Sequence, residues 1–215
     1  EARVIKMVSP ANLRDDPLRL LRAYRQAAQL NFTIDESTRE TIREIAPCLQ
    51  GVAVERIHTE LSYLLATANG SFYLHQAWED GVLSHCLTTL SEEQVEQVQK
   101  VDTAKATLTQ DYPSLSHLWE ENVGGESDAL QALAKLACLV SSSPEVAESQ
   151  LITLKYSRAE IRTVTTTLNL LPRLLDNPAM TLRDQYFFFR DAGKVFPVIL
   201  LAAVAKGLSM ASVKP

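Results

Sequence analysis

The chain is organised around the stretch LRDDPLRLLRAYR, residues 13–25. This stretch predicts a helix from about Asp16 to Leu30. The side chain of Asp16 can cap free backbone N–H groups, and Pro17 suits the first helical position, where its missing N–H costs nothing. One face of the helix is expected to be buried because apolar residues recur on it at helical spacing, namely Leu18, Leu21, Tyr24 and Ala28.

A polar stripe on the same predicted helix has the donors and acceptors needed to read the edge of a nucleobase. Asp16 and Arg19 are three residues apart, so their side chains can meet on one face. A carboxylate accepts from an exocyclic amine, and a guanidinium donates to the neighbouring ring nitrogen, a pattern that suits cytosine and adenine but not uracil or guanine. The residues alone leave a second interpretation open, in which this is an ordinary capped helix start with a solvated arginine stripe.

Two motifs in this sequence occur together in one known protein family. The run DDPLRLLRAYR, residues 15–25, resembles the base-reading motif of the bacterial tRNA nucleotidyltransferase and poly(A) polymerase family, usually written E-D-x-x-R. The run GVAVERIHTEL, residues 51–61, resembles the next motif of that family, G-x-S-x-E-R-I-x-x-E-L. Their order and separation are those of the family. The resemblance is close over the first third of the chain and looser beyond it.

The sequence departs from the family pattern at two positions. The first acid of the E-D-x-x-R motif is Asp15 here, one methylene shorter than the usual Glu. The Ser that precedes the Glu-Arg pair is Ala53 here. A Ser at that position can cap a helix, so its loss is expected to cost about 0.5–2 kcal/mol of stability.

The resemblance implies a role for each motif residue. Asp16 and Arg19 would select the incoming CTP or ATP, with Asp15 supporting Arg19. Arg22 would lie near the nucleotide phosphates. Glu55 and Arg56 would fix their turn against the first helix.

The resemblance also implies that the chemistry is performed elsewhere. The family holds Mg²⁺ with an Asp-x-Asp pair in an N-terminal catalytic head, and this sequence contains no Asp-x-Asp. The nearest pattern is Glu126-Ser127-Asp128, which is better explained as a helix cap. Gly124-Gly125 lacks the lysine and spacing of a phosphate-binding loop. We therefore expect no catalytic residue and no metal ligand here, and a missing head that supplies both. The absence of an initiator Met before Glu1 suggests a fragment or a processed product.

The distribution of charge favours RNA contacts in the last part of the chain. The net charge is −5, but residues 129–215 carry ten basic and six acidic side chains, whereas residues 68–128 carry two basic and eleven acidic ones. Binding to phosphate depends on local patches. The family grips the tRNA elbow with its body and tail, and the corresponding candidates are Lys155, Arg158, Arg162, Arg183, Arg190 and Lys194, with Tyr186 as a possible stacking surface. Basic residues on helix faces are also commonly just solvated.

The predicted fold class is all-α. Strand signals are nearly absent, although Val4, Ile5 and Val8 read as a strand remnant or a connector. Helix starts are predicted at Asp35 or Ser37, at Thr181 and at the capping boxes that begin at Ser91 and Ser157, and stops are predicted at Gly81 and Gly207. In the terms of the family this is an elongated array, divided into the end of the head (1–12), neck (13–68), body (69–180) and tail (181–215).

Composition restricts the remaining possibilities. The three cysteines are scattered, which argues against a disulfide framework and fits a reducing cytoplasm. The most apolar run, residues 195–204, is too short to span a bilayer, and no signal peptide begins the chain. The predicted partners are therefore CTP or ATP and tRNA, without a membrane. Two alternatives remain: a standalone helical module that binds RNA or protein, and, within the family, a poly(A) polymerase.

Overall fold

The computed structural model describes residues 3–87, 90–113, 130–176 and 180–209. The fold is all-α, as predicted: within the described residues, the only strands are two of two residues each. The chain divides into two compact units, Glu1–Val95 and Glu96–Pro215. The finer limits of neck, body and tail stay predictions.

The first unit is built around helix α2. Its elements are β1 (Val4–Ile5), α1 (Pro10–Asp15), α2 (Leu18–Leu30), β2 (Thr33–Ile34), α3 (Glu36–Ile45), α4 (Val54–Ala66) and α5 (Gly70–Glu79), with 3-10 turns at Ala46–Gly51 and Leu83–His85. Helix α2 packs against both α4 and α5. Leu20 and Tyr24 of this helix are fully buried, so it lies at the centre of the core of this unit.

The chain breaks its first helix at Asp16, and the prediction that the Asp16 side chain caps the helix is wrong. Asp16 ends α1 with φ −141° and ψ 89°, and α2 starts at Leu18 without a side-chain cap. The physical reason is Pro17, since its ring disfavours the helical conformation for the residue that precedes it. The backbone carbonyl of Asp16 still accepts from the Arg19 amide at 3.0 Å, which leaves the carboxylate available for other partners.

A short parallel ladder joins β1 to β2, with Val4 opposite Thr33 and Ile5 opposite Ile34. Of the two interpretations of the first residues, the strand remnant is the one found. The β2 partner was not predicted, because two residues are too few to give an alternating pattern. Asn31 ends α2 in the left-handed conformation, with φ 53°, and turns the chain back into this strand.

The second unit is also built from helices. Its elements are α6 (Glu92–Asp111, which begins in the first unit), α7 (Leu130–Leu139), α8 (Pro144–Thr153), α9 (Arg158–Asp176), α10 (Leu182–Ala192), a 3-10 turn at Gly193–Val195 and α11 (Phe196–Ala205). Helix α11 packs against α7 and α9, and α8 packs against α9. None of the helices that the structure describes combines the length and apolar character needed to cross a membrane.

The predicted helix starts and stops are largely confirmed. In the capping box at Ser91, the Ser91 amide donates to Gln94 Oε1 at 2.9 Å and the Gln94 amide donates to Ser91 Oγ at 3.3 Å. The pair Ser157 and Glu160 does the same at the start of α9. Asp35 and Thr181 cap α3 and α10.

Two further predictions concern helix interiors and loops. The sequence predicts that Pro172 kinks or ends its helix; the helix does not end there, because α9 continues through Pro172 to Asp176. The buried face of α9, which includes Val164 and Leu168, offsets the one hydrogen bond that proline cannot make. The interpretations placed on Gly124-Gly125 and on Glu126-Ser127-Asp128 lie outside the described residues.

Candidate functional site

The break between α1 and α2 brings Asp16 beside two arginines. Arg56 Nη2 lies 3.2 Å from each carboxylate oxygen of Asp16, and Arg19 Nε lies 3.9 Å from Asp16 Oδ2. The Asp16 side chain is 27% exposed and that of Arg19 is 41% exposed. An acceptor and a donor are thus held side by side at an accessible edge, where both can reach a ligand.

Arg19 is held by a residue that sequence analysis missed. Its Nη1 atom donates to the backbone carbonyl of Asn12 and to Asn12 Oδ1, both at 2.5 Å. Asn12 lies on α1, whose first turn is capped by Ser9 Oγ accepting from the Asn12 amide at 3.3 Å. Asn12 lies outside both motifs, and no local pattern marked it.

The other motif residues differ in their surroundings. The contact expected between Asp15 and Arg19 is not formed: Asp15 is exposed, and no ion pair of Asp15 within 4.0 Å is found in the described part of the chain. Arg22 is exposed on α2. Glu55 is exposed in the first turn of α4, whereas its neighbour Arg56 contacts Asp16. The roles of these residues stay predictions.

A nearly buried ion pair joins α2 to α4 behind the site. Arg25 Nε lies 2.5 Å from Glu60 Oε2, with side chains only 15% and 9% exposed. Glu60 is the second glutamate of the motif at residues 51–61, to which no role was assigned from the sequence. The pair fixes α4 against α2, which places Arg56 opposite Asp16.

A second buried network holds the other side of α2. Tyr24 donates its hydroxyl to Asp80 Oδ2 at 2.6 Å. Arg39 donates to both oxygens of Asp80, at 2.7 and 3.0 Å, and Arg43 donates to Asp80 Oδ1 at 2.6 Å. One carboxylate just after α5 therefore ties α2 and α3 together.

Burial and hydrogen bonding shift the pKa of the Asp80 carboxyl in opposite directions. Burial alone would raise the pKa of this carboxyl, but the hydrogen bonds from Arg39, Tyr24 and Arg43 outweigh it and hold the pKa below its ordinary value of 3.8. Burial and the hydrogen bond to Asp80 raise the pKa of the Tyr24 phenol far above its ordinary value. Tyr24 therefore stays protonated and keeps donating to an ionised Asp80.

The first group of RNA candidates surrounds the start of α9. Lys155, Arg158 and Arg162 are all exposed. Lys155 closes α8 with φ 64°, and Arg158 and Arg162 follow one turn apart on α9. The three cations lie within eight residues of one another along the chain.

The second group of RNA candidates lies on and after α10. The guanidinium of Arg190 lies 4.8 Å from the centre of the Phe187 ring, and that of Arg183 lies 5.9 Å from it. Tyr186 is 66% exposed next to them. Lys194 is exposed in the turn that follows. This face combines positive charge with aromatic rings.

Potential metal ligands do not gather in the part of the chain that the structure describes. No group of three or more His, Cys, Asp or Glu side chains there could hold a metal ion. The three cysteines are free thiols, and burial raises the pKa of Cys86 and Cys138 to about 12.

Comparison with known proteins places the sequence in a family. Residues 31–93 match a family described as "Probable RNA and SrmB- binding site of polymerase A". The chain is 42% identical over 203 residues to a CC-adding tRNA nucleotidyltransferase of Synechocystis sp., an alignment that covers 94% of this chain. The chain belongs to the tRNA nucleotidyltransferase and poly(A) polymerase family. A CCA-adding enzyme of Limosilactobacillus reuteri is 40% identical over 88 residues, which cover 40% of this chain and 22% of that protein.

Membership of the tRNA nucleotidyltransferase family agrees with the fold. A solved structure titled "The complex structure of CCA-adding enzyme with CTP" superimposes with a TM-score of 0.72 at 17% sequence identity, over 98% of this chain and 48% of that one. This chain likewise spans 48% of the length of the Synechocystis relative. The family expectation drawn from the two motifs is confirmed.

Proposed function

We propose that this chain is the C-terminal part of a tRNA nucleotidyltransferase that selects the base of incoming CTP or ATP and holds tRNA for 3′-end addition. The chemistry then belongs to a catalytic head in the rest of a longer protein, where Mg²⁺ would activate the attacking hydroxyl. The described residues form no metal cluster, so no step through magnesium is assigned to this chain.

The observation that carries this proposal is the pairing of Asp16 with Arg19. The two side chains lie 3.9 Å apart and half-exposed on one edge. Asp16 can accept from the amine of cytosine or adenine while Arg19 donates to the adjacent ring nitrogen. Arg56 and Asn12 hold the pair in place through contacts of their own, so the reading edge exists before a nucleotide binds.

The first experiment measures nucleotide selectivity in the full-length protein. Asp16→Ala and Arg19→Ala should each lower kcat/KM for CTP or ATP, and loss of one good base contact costs about 1–3 kcal/mol of discrimination. Asp16→Asn introduces an amide donor where the carboxylate accepted, so discrimination against UTP should fall. Arg14→Ala is the matched control, because Arg14 is an exposed arginine on α1 that faces Glu44 at 4.0 Å.

The contrary result is equally clear. If Asp16→Ala and Arg19→Ala both keep the selectivity of the unaltered protein and remain folded, the pair is only part of a helix junction. The chain would then be a helical module that binds RNA or protein, a second candidate favoured by the description of the family matched at residues 31–93.

The proposed tRNA contacts rest on the basic residues of the second unit. Lys155, Arg158 and Arg162 are exposed together at the start of α9, while Arg183, Arg190 and Lys194 lie on and after α10. Contacts of this kind bind phosphates and position RNA without reading its sequence. The rings of Tyr186 and Phe187 provide surfaces on which an unpaired base can stack.

A further inference from the structure

We infer that Asn12, and not the first acid of the motif, is the residue that positions Arg19 for base reading. This inference rests on the proposed function of Arg19 and adds a residue that lies outside both sequence motifs. It assigns Asn12 the task of orienting a side chain; Asn12 itself does not contact the nucleotide.

The contact pattern of Arg19 determines which edge of its guanidinium is available. A guanidinium has five N–H donors in a fixed planar fork, of which Nη1 carries two. Both oxygens of Asn12 accept from Nη1, at 2.5 Å each. A base is therefore met by the other edge, formed by Nε and Nη2, and Nε is the atom that lies 3.9 Å from Asp16. The donor edge of Arg19 formed by Nε and Nη2 and the carboxylate of Asp16 thus lie on the same side of the guanidinium.

Asn12 is itself fixed by the local structure. Pro10 begins α1, and Ser9 accepts a hydrogen bond from the Asn12 amide at 3.3 Å. The backbone carbonyl and the side-chain oxygen of Asn12 then form a two-pronged acceptor for one nitrogen. Because planar donors and acceptors that pair at two points also fix orientation, Arg19 is held in direction as well as position.

Asp15 does not hold Arg19 by a pair of acceptors as Asn12 does. It is the last residue of α1 and is exposed, and it forms no ion pair within the residues that the structure describes. Asp15 is one methylene shorter than the glutamate of the family motif, and Asn12 supplies acceptors one helical turn earlier.

The test compares Asn12→Ala, Asn12→Asp and Asp15→Asn in the full-length protein. Asn12→Ala should lower kcat/KM for the preferred nucleotide by about tenfold, the effect of losing one hydrogen bond to a charged group, and should lower discrimination against UTP. Asn12→Asp keeps the side-chain acceptor and should restore both. Asp15→Asn should cause a clearly smaller loss, and Arg14→Ala controls for changes to α1.

Each outcome of this test either supports or contradicts the role inferred for Asn12. If Asp15→Asn lowers discrimination as much as Asn12→Ala, or if Asn12→Asp fails to restore it, the inference is wrong. Asn12 is exposed, so its replacement is expected to leave the fold intact. If Asn12→Ala instead lowers thermal stability while the ratio of kcat/KM between the preferred nucleotide and UTP stays unchanged, the inference is also wrong. Arg19→Ala distinguishes this inference from the proposed function. If Arg19→Ala leaves nucleotide selectivity unchanged, the proposed function is wrong. If Arg19→Ala lowers selectivity and Asn12→Ala does not, only this inference is wrong.

Discussion

Pro17 and Ala53 show how single residues shape the candidate site. Pro17 excludes Asp16 from the helical conformation, so the chain forms two helices and the Asp16 carboxylate is free to meet Arg56. Ala53 precedes α4, the helix that carries Arg56, with φ −56° and ψ 130° and no side-chain cap. The extended backbone there is the one that a capping serine adopts.

Replacing Ala53 by Ser should therefore stabilise the protein. The new hydroxyl can accept from a backbone amide in the first turn of α4, a contact worth about 0.5–2 kcal/mol. Urea unfolding of the whole chain measures the change in free energy of unfolding. Ala53→Val is the matched control, since it adds bulk without an acceptor; an equal gain with valine would mean that capping is not the cause.

At the scale of elements, α2 is held from two sides by charged groups. The Arg25–Glu60 pair binds it to α4, and the network around Asp80 binds it to α3 and to the end of α5. Both links are largely removed from solvent, so losing one partner leaves its mate buried and uncompensated. The position of α2, which carries Arg19, thus depends on residues that lie 35 to 56 positions from their partners along the chain.

Asp80→Asn should make stability lower at neutral pH and less dependent on pH in acid. The folded pKa of Asp80 lies below 3.8, so the stabilisation by its ionised form is fully present above pH 3.8 and is lost as the pH falls through the lower folded pKa. Breaking such a pair costs about 3–5 kcal/mol. Urea unfolding at neutral pH and again in acid measures both effects.

The control for Asp80 is its neighbour Glu79. Glu79 is 48% exposed and lies 3.5 Å from Arg39, so Glu79→Gln should change stability by less than about 1 kcal/mol. If Asp80→Asn shows the same loss of stability in acid as the unaltered chain, other carboxylates are responsible for that loss.

At the scale of the whole molecule, the charge is divided unevenly along the chain. Residues 129–215 are net positive although the protein carries a net charge of −5. This division of charge supports the proposal that the second unit contacts RNA. It also separates the proposed RNA contacts from the proposed base-reading pair in the first unit, so the two proposals can be tested independently.

The 215-residue chain alone should bind tRNA without extending it. Affinity should fall as salt rises, because phosphate contacts release counterions. Arg162→Glu should weaken binding to different tRNAs by a similar factor and reduce the salt slope by about one contact. Lys100→Glu, an equal charge reversal at an exposed site on α6, should have less effect.

Two results would contradict this expectation. Binding that is insensitive to salt, or equal effects of the two reversals, would move the RNA site away from α9. Incorporation of labelled CTP or ATP into tRNA by the purified chain with magnesium present would show that a catalytic head is unnecessary.

The sequence by itself determined the family, the all-α class and most helix limits. These depend on short-range patterns: the reciprocal bonds at Ser91 and Ser157 join residues three positions apart, and apolar spacing repeats every three or four residues. Two ordered motifs were enough to name the base-reading pair, Asp16 and Arg19, as candidates.

Only the tertiary structure decided what holds these residues. Asn12 meets Arg19 because the break at Asp16 folds α1 back onto the start of α2, and Asp80 gathers Tyr24, Arg39 and Arg43 from two other helices. Lys135, fully buried 2.8 Å from Asp102, likewise has no local signal. A charged residue can be identified from the sequence, but its partner depends on how helices that are distant along the chain pack together. Helical periodicity relates only residues three or four positions apart, so it does not predict that partner.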